Sequence, residues 1–314
     1  MEKEKVEPQE QTTQVKKTFE ITKGRIQRPL LILLYGPDKV GKTTFAGSAP
    51  SPIFLGAEEG SNELDVARLP KPVSFNDAVE QVNFVASLSE FSTLVVDTLD
   101  WLEHLVFQQV VSENEKFVSS ISEIPFGKGY PRAYSKWREF IAALETCRDN
   151  GKNIILLAHS VVKRFEDPSA AQGYDRYQLK LYDGSATSKT DSTADLFKQY
   201  VDSILFANFE VYTNADDPRR AFGDGTRVIF TERRPALDAG NRLGLPFKMP
   251  LDFTTFYGSA MSDKAETEKL KTEIKSMIEK VKDEKAKKSA LEALPKKITM
   301  ADLNTMKGRL EAYL

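Results

Sequence analysis

The sequence predicts an α/β fold in which a mostly parallel sheet is flanked by helices. Short, continuously apolar runs alternate along the chain with longer segments that have apolar residues at helical spacing. The runs are residues 30–34, 52–55, 93–96 and 153–158. Strands that are buried on both faces have this continuous pattern, which is typical of a parallel sheet covered by helices. The alternation of strand and helix then requires crossover connections between neighbouring strands.

Two of the intervening helices have recognisable ends. Ser74 can cap a helix that has Asp77 in its first turn, and the apolar residues that follow fall on one face. A second helix is predicted from about residue 131 to residue 150. Gly151 follows it directly, as expected for a left-handed helix terminus.

A polar segment follows the run at 153–158. Residues 161 to about 194 contain few aliphatic side chains, and a stretch of this length inside a globular region predicts a functional or mobile loop. Beyond it, residues 196–202 are predicted as a helix. Residues 204–212 and 227–231 are predicted as strands that continue the sheet, with 221–222 as a further candidate.

Composition excludes several classes of protein. The 314 residues suffice for one large or two ordinary domains, and 44 basic against 46 acidic side chains leave a net charge of −2. This balance excludes a histone-like polycation. The single cysteine cannot form an intramolecular disulfide, and two histidines are too few for a zinc cluster of the Cys/His type. Since no apolar run approaches the roughly 20 residues of a membrane helix, we expect a cytoplasmic protein without a membrane partner.

The chain is predicted to have three regions. Residues 1–17 are polar and are expected to form a disordered arm. Residues 18–259 have the globular α/β pattern, whereas residues 262–314 are predicted to form a helical appendage with a break at Pro295. The apolar stripes of this appendage either pack within the protein or bind a partner.

Residues 36–43 match the phosphate-binding pattern G-x-x-x-x-G-K-[ST], between an apolar strand and a helix-like segment. In such a loop the backbone N–H groups surround the β-phosphate, the lysine reaches the β- and γ-phosphates, and the hydroxyl binds Mg²⁺. We therefore predict ATP and Mg²⁺ as cofactors. The predicted nucleotide contacts are Gly36, Pro37, Asp38, Lys39, Val40, Gly41, Lys42, Thr43 and Thr44.

Two oxygen ligands are predicted for the magnesium ion. Thr43 supplies a hydroxyl from the phosphate-binding loop. Asp97 follows the apolar run 93–96, which is where a P-loop protein carries the carboxylate that holds the metal. Lys42 is predicted to act in catalysis as well as in binding.

The combined motifs resemble phage and prophage AAA-type ATP-binding proteins of the RecA/Rad51-like class, which act in single-strand annealing or as recombinase-like proteins. The resemblance extends over about residues 30–251. It lies in the segments 35–37, 95–99, 124–130, 157–159, 174–177, 231–235 and 241–246. It implies a RecA-like P-loop NTPase core with a C-terminal helical tail. The implied activity is an ATPase that DNA stimulates and that promotes annealing or strand exchange.

The resemblance also implies residues that act on the γ-phosphate. Glu58 matches the carboxylate that activates the attacking water, with Glu59 as the alternative. His159 occupies the strand end where the class has a polar residue, often glutamine, that senses the γ-phosphate. His104 has no motif around it and is interpreted as structural.

An arginine from a neighbouring subunit is implied as well. Residues 240–244 are similar to the Lys-Asn-Arg-Phe-Gly motif of the RadA branch, although Gly240 replaces its lysine. Arg242 is therefore the candidate that would act in trans, with Arg233 and Arg234 as alternatives. The class assembles as a ring or a filament, so self-association is expected.

Single-stranded DNA is the implied partner, and the segment 161–190 would contact it. This segment interleaves basic and aromatic side chains, which suits phosphates and stacked bases. The candidate contacts are Lys163, Arg164, Tyr174, Arg176, Tyr177 and Lys180, with Lys128 in a second, glycine-flanked loop. The tail would then be the site for another replication or recombination protein.

Two other functions remain open from the sequence. A P-loop kinase for nucleotides or metabolites would need an arginine-rich lid, and the basic residues of segment 164–176 are sparse for one. A nucleotide-gated adaptor with slow turnover would instead use the tail to recruit a replication or recombination protein.

Overall fold

The computed structural model describes residues 28–56, 63–169, 171–184, 191–213, 221–261, 264–281, 283–294 and 300–311. The predicted arm at 1–17 lies outside these residues. The strands are β1 (Leu31–Gly36), β2 (Pro52–Gly56), β3 (Ala67–Arg68), β4 (Thr93–Asp97), β5 (Asn153–Phe165), β6 (Tyr174–Leu179), β7 (Ser203–Phe209), β8 (Tyr212–Thr213), β9 (Ala221–Phe222), β10 (Arg227–Phe230), β11 (Gly240–Asn241) and β12 (Lys248–Pro250). The helices are α1 (Lys42–Gly47), α2 (Phe75–Ser87), α3 (Leu99–Ser112), α4 (Gly129–Asp149), α5 (Thr193–Tyr200), α6 (Phe253–Met261), α7 (Lys264–Lys280), α8 (Glu284–Ala293) and α9 (Met300–Glu311).

The main sheet has the order β12-β10-β7-β1-β5-β4-β2-β3. The six strands from β7 to β3 run parallel. β10 is antiparallel to its neighbour β7, and β12 is antiparallel to β10. The predicted α/β fold with a mostly parallel sheet is therefore confirmed. Apolar side chains alternate between two cores: Leu31 and Leu33 of β1 face a core shared with α2, α3 and α4, and Ile32 faces a second core shared with α1 and α6. This two-sided burial explains the continuous apolar runs.

The predicted helix ends are close to the observed ones. The Ser74 hydroxyl accepts a 3.1 Å hydrogen bond from the Asp77 N–H at the start of α2, which confirms the predicted cap. Helix α4 begins at Gly129, slightly earlier than the sequence indicates, and Gly151 follows it with a φ of 85°. A positive φ is available to glycine without steric cost.

The polar segment after residue 160 is the main departure from the predicted fold. It is not one long loop: β5 continues beyond the parallel sheet to Phe165 and pairs antiparallel with β6, from Ser160 opposite Leu179 to Phe165 opposite Tyr174. We call β6 and residues 160–165 of β5 the hairpin arm. Its ladder pairs the backbone groups, so polar and charged side chains such as Arg164 can point outward from a regular strand.

A second departure concerns the short strand at 221–222. It was expected to extend the main sheet, but β9 pairs with β8 in a separate two-stranded sheet. The predicted strands at 204–212 and 227–231 correspond to β7 and β10, and the predicted helix at 196–202 corresponds to α5.

The C-terminal helices share a third apolar cluster. Leu270, Ile274 and Ile278 of α7 pack with Leu303 and Leu310 of α9. The helical spacing read from the sequence thus describes an internal packing surface. Across the described ranges, none of the helices is long and apolar enough to cross a membrane.

Candidate functional site

Three motifs meet at the carboxyl edge of the parallel strands. Gly36, the last residue of β1, lies opposite His159 of β5, and Asp97, the last residue of β4, lies opposite Leu157 of the same strand. Because β5 lies between β1 and β4, the phosphate-binding loop, the predicted metal carboxylate and the predicted sensor come together although they are distant in sequence.

The phosphate-binding loop has a conformation that its glycines permit. A Cβ atom on Gly36 would lie 2.3 Å from the Ala207 carbonyl oxygen, so no side chain fits at this position. Gly41 has a φ of 108°, and Lys39 also lies in the left-handed region at 59°. The loop therefore turns sharply before α1 begins at Lys42.

Lys42 lies inside this turn. Lys42 is only 6% exposed, and its Nζ donates hydrogen bonds to the carbonyl oxygens of Gly36 and Pro37 at 3.1 and 2.9 Å. The ammonium group is thus held at the centre of the loop. A cation at this position can neutralise a phosphate that the loop surrounds.

Thr43 and Asp97, the two predicted metal ligands, are in direct contact. The Thr43 hydroxyl donates a 2.9 Å hydrogen bond to Asp97 Oδ2, and Asp97 is 3% exposed. Among the described residues, no three His, Cys, Asp or Glu side chains cluster as a metal site. One hydroxyl and one carboxylate nevertheless fit Mg²⁺, which usually takes one or two protein oxygens and completes its shell with phosphate and water.

A cavity of about 750 Å³ opens over the loop. It is large enough for a nucleoside triphosphate. Its lining joins the predicted residues to others that the sequence did not single out. The complete lining consists of Asp38, Lys39, Gly41, Lys42, Thr43, Thr44, Asp97, Asp100, Trp101, His104, His159, Lys180 and Arg227. His104, which the sequence placed among structural residues, is exposed in this lining.

His159 is held between two carboxylates. Its ring Nδ1 lies 2.8 Å from Asp100 Oδ2, and its backbone N–H donates to Asp100 Oδ1 at 2.9 Å. Its Nε2 lies 3.3 Å from Asp38 of the phosphate-binding loop. Sequence reasoning missed Asp100 because an acid in the first turn of a helix is common without any functional role.

The two buried acids of α3 have opposite protonation tendencies. Burial raises the pKa of Asp100, but the hydrogen bonds from His159 outweigh burial and leave that pKa below its ordinary value. Burial raises the pKa of Glu103 to about 7, although the Tyr182 N–H donates to its carboxylate. Asp100 is therefore ionised at neutral pH, whereas Glu103 is partly protonated.

Arg227 is a second residue that the sequence missed. It begins β10, which runs antiparallel to β7, and its guanidinium Nη1 lies 3.0 Å from the position that a Cβ of Gly41 would occupy. The guanidinium also lies 5.9 Å from the centre of the Phe209 ring. An arginine from the same chain thus covers the phosphate-binding loop.

Arg242 lies away from this site. Asn241, its neighbour, is opposite Ser203, which is level with the start of β1, whereas the phosphate-binding loop follows the end of β1. The Arg242 side chain is 74% exposed and lies 3.9 Å from Asp202. Arg242 therefore does not reach the phosphate-binding loop of its own chain, and its action in trans stays a prediction. The alternatives Arg233 and Arg234 lie near the rings of Phe165 and Phe247.

The predicted DNA contacts differ in accessibility. Arg164 is exposed on the hairpin arm, Lys180 is exposed at its base, and Lys163 is half-buried. Lys128 is exposed next to Phe126, with its Nζ 5.8 Å from the ring centre. These positions keep the four cations as candidates.

Three other predicted contacts are engaged within the protein. Arg176 is only 4% exposed, and its Nη2 donates to Asp238 and to the Leu237 carbonyl at 3.1 Å each. Arg176 is therefore engaged inside the protein, and its role as a nucleic-acid contact stays a prediction. The Tyr174 hydroxyl donates to Asp167, and the Tyr177 ring packs on Phe206.

Glu58 and its alternative Glu59 lie outside the described residues. The strand that leads to them, β2, ends at Gly56, which is opposite Asp97. The role of Glu58 as the water-activating carboxylate stays a prediction.

Comparison with known proteins identifies one matching family. The sequence model of the AAA domain family AAA_24 matches residues 28–243, which is more than half of the chain and includes every motif at the sheet edge. No curated protein matches the chain. A crystal structure of the RadB recombinase matches over 66% of this chain and 82% of its own, with 14% sequence identity and a TM-score of 0.35.

Proposed function

The chain belongs to the AAA domain family, and from this premise we propose that it is a RecA-like ATPase that binds single-stranded DNA and promotes annealing or strand exchange. An AAA domain implies nucleotide binding, typically with Mg²⁺. The observation that carries the ATPase part is the contact between Thr43 and Asp97 beside a loop that encloses Lys42.

The residues at and around the phosphate-binding loop have separate roles in this proposal. Lys42 places a positive charge where the β- and γ-phosphates would lie, and Thr43 and Asp97 would hold Mg²⁺. Bound Mg²⁺ would neutralise charge on the phosphate oxygens. Arg227 adds a second cation above the loop from the same chain. Glu58 would accept a proton from the attacking water.

The hairpin arm supports the DNA part of the proposal. It protrudes beyond the end of the parallel strands, and the Lys180 N–H at its base donates a 3.0 Å hydrogen bond to the His159 carbonyl oxygen. The arm and the sensor strand are thus one continuous piece of backbone. A shift of His159 on binding of the γ-phosphate would be transmitted to the exposed cation Arg164.

The low net charge of the chain favours self-association in this proposal. The net charge of −2 is low for a protein that binds DNA as a monomer, because DNA affinity depends on neutralised phosphates. A ring or filament would sum a few cations from each subunit along one path. Arg242, which is far from the phosphate-binding loop of its own chain, would then reach the nucleotide of a neighbour.

The experiment is to measure ATP turnover in Mg²⁺ with and without a long single-stranded oligonucleotide. The proposal expects turnover that rises with DNA and tighter DNA binding by the ATP-loaded protein. Turnover only with a small phosphate acceptor would indicate a kinase. ATP binding with negligible turnover under both conditions would indicate the nucleotide-gated adaptor.

A further inference from the structure

The side chain of Asp100 uses both of its oxygens on one residue. Oδ1 accepts from the backbone N–H of His159 at 2.9 Å, and Oδ2 lies 2.8 Å from Nδ1 of the same residue. Asp100 lies in the first turn of α3 and His159 on β5, so the contact joins two elements at the sheet edge. Both side chains are largely buried, at 12% and 13% exposure.

We propose that Asp100 is a positioning residue that fixes the ring orientation and protonation of His159, so that Nδ1 always carries a proton and Nε2 faces the phosphate-binding loop. This inference rests on the proposed nucleotide-dependent function of the same site. Asp100 would thus select which nitrogen of the His159 ring is protonated. Neither the phosphate-binding motif nor the family match gives Asp100 a role.

The chemistry of the two groups leads to this assignment. An ionised carboxylate only accepts hydrogen bonds, so a ring nitrogen at 2.8 Å from it has to donate. The backbone bond to Oδ1 anchors the carboxylate, which leaves Oδ2 directed at Nδ1. The form of the ring that is protonated at Nε2 alone is therefore excluded, because it would place two lone pairs against each other.

Two forms of the ring remain, and both are useful beside a phosphate. A ring protonated at both nitrogens donates from Nε2, to the Asp38 carboxylate at 3.3 Å or to a phosphate oxygen in its place. In a ring protonated at Nδ1 alone, the Nε2 lone pair repels the Asp38 carboxylate, whose side chain is 81% exposed and can turn away into solvent. Nε2 then faces the cavity and can accept a proton from water. Asp100 thus determines which ring nitrogen of His159 faces the nucleotide. A group that hydrogen-bonds to the second ring nitrogen of a metal-bound histidine orients the ring in the same way.

The composition of the chain allows a direct spectroscopic test. The sequence contains only two histidines, so a His104→Gln protein labelled with ¹⁵N-histidine has a single imidazole to observe, that of His159. Two-bond ¹H–¹⁵N spectra identify which nitrogen carries the proton. The inference expects Nδ1 to be protonated in the full-length protein. A ring protonated at Nε2 alone would overturn it, whatever the enzymatic activity.

The variant Asp100→Asn tests the cause. Its amide can donate to Nδ1, so the inference expects the form protonated at Nε2 alone to appear. Asp149→Asn, which removes an exposed carboxylate at the end of α4, is the matched control and should leave the His159 spectrum unchanged. An unchanged spectrum in folded Asp100→Asn protein would contradict the assignment.

Kinetics give a second readout. Asp100→Asn should lower kcat for ATP about 10- to 100-fold, as is typical when an orienting partner is removed, while the Kd for ATP changes less than about 3-fold. Equal kcat in Asp100→Asn and wild type would overturn the positioning role. Absence of turnover in the wild type would instead contradict the proposed function, and the wild-type spectrum would still decide the inference.

Discussion

The Thr43 hydroxyl donates a 2.9 Å hydrogen bond to the Asp97 carboxylate, although the two residues are 54 positions apart in the chain. The parallel order of β1, β5 and β4 brings them together, because the phosphate-binding loop and Asp97 follow strands that end at the same edge. The two oxygens thus lie together at the place where we predict that a divalent cation binds.

The contact between Thr43 and Asp97 predicts that Asp97 contributes to ATP affinity only when Mg²⁺ is present. In Asp97→Asn, ATP affinity measured in EDTA should equal that of the wild type, since Lys42 and the loop are unchanged. The gain in affinity that Mg²⁺ gives the wild type should be reduced by about 10-fold or more. Titrations with a fluorescent ATP analogue would measure both conditions. An equal Mg²⁺-dependent gain in the variant and wild type would remove Asp97 from the metal site.

Arg227 is predicted to bind the nucleotide from within the same chain. Its guanidinium lies over Gly41, and a charge-assisted hydrogen bond to a phosphate contributes about 1.5–3 kcal/mol. Arg227→Ala should therefore weaken ATP binding about 10- to 100-fold. Arg227→Lys should recover only part of the lost ATP affinity, because lysine cannot make the bidentate hydrogen bonds of a guanidinium to phosphate.

The control for Arg227 is Arg138→Ala, an exposed arginine of α4 outside the cavity. Calorimetric titration of ATP into the three variants provides the measurement. If Arg138→Ala and Arg227→Ala weakened binding equally, the effect would come from net charge and not from a contact above the loop.

The sequence predicts the strands and the nucleotide motif well because both depend on local patterns. Continuous apolar runs mark strands buried on both faces, and the spacing of Gly36, Gly41 and Lys42 defines a single kind of loop. The hairpin arm was missed because its polar side chains resemble those of a loop. Only the backbone ladder between the consecutive strands β5 and β6 identifies it.

The environments of Arg227, Asp100 and Arg176 could not be predicted from local patterns, because contacts between separate elements determine them. Arg227 lies over the phosphate-binding loop only because β10 is antiparallel to β7, and strand direction is not encoded in the run of apolar residues. Asp100 resembles an ordinary acid of a first helical turn until β5 places His159 beside it. Arg176 has the composition of a DNA contact but pairs with Asp238, about 60 residues later in the chain.

Tyr35, which precedes the phosphate-binding loop, is predicted to hold β1 to the segment around Asp238. Its hydroxyl donates to the Asp238 carbonyl at 2.5 Å and accepts from the Asp238 N–H at 3.0 Å, and burial raises its pKa above the ordinary value. Tyr35→Phe leaves both backbone groups without this partner. The free energy of unfolding should fall by about 1–3 kcal/mol.

Urea denaturation of Tyr35→Phe and Tyr134→Phe would measure the difference. Tyr134 is half-buried on α4, away from Asp238, and its substitution should change the free energy of unfolding by less than about 0.5 kcal/mol. Equal stability of the two variants would show that the Tyr35 hydroxyl does not hold the strand to the segment around Asp238.

The hairpin arm offers a matched pair of arginines for the DNA contact. Arg164→Ala should weaken binding to single-stranded DNA and reduce the salt dependence of log K by about 0.7, the contribution of one phosphate contact. Arg176→Ala should instead lower the free energy of unfolding by about 1–3 kcal/mol, because it breaks buried hydrogen bonds to Asp238 and Leu237.

Fluorescence anisotropy at several salt concentrations and urea denaturation separate the two effects. The opposite pattern, with Arg176→Ala stable but weakened in DNA binding and Arg164→Ala unaffected, would place the DNA contact on the other face of the arm.

We infer that residues 36–43 enclose the phosphates of ATP around the Lys42 ammonium. Calorimetric titration of Mg²⁺-ATP into the wild type and Lys42→Ala tests it most directly, with Lys136→Ala of α4 as the control for loss of one lysine. We expect one site per chain in the wild type and in Lys136→Ala, and a site weakened by about 100-fold or more in Lys42→Ala. Equal affinity of all three proteins, or no binding by folded wild type, would contradict it.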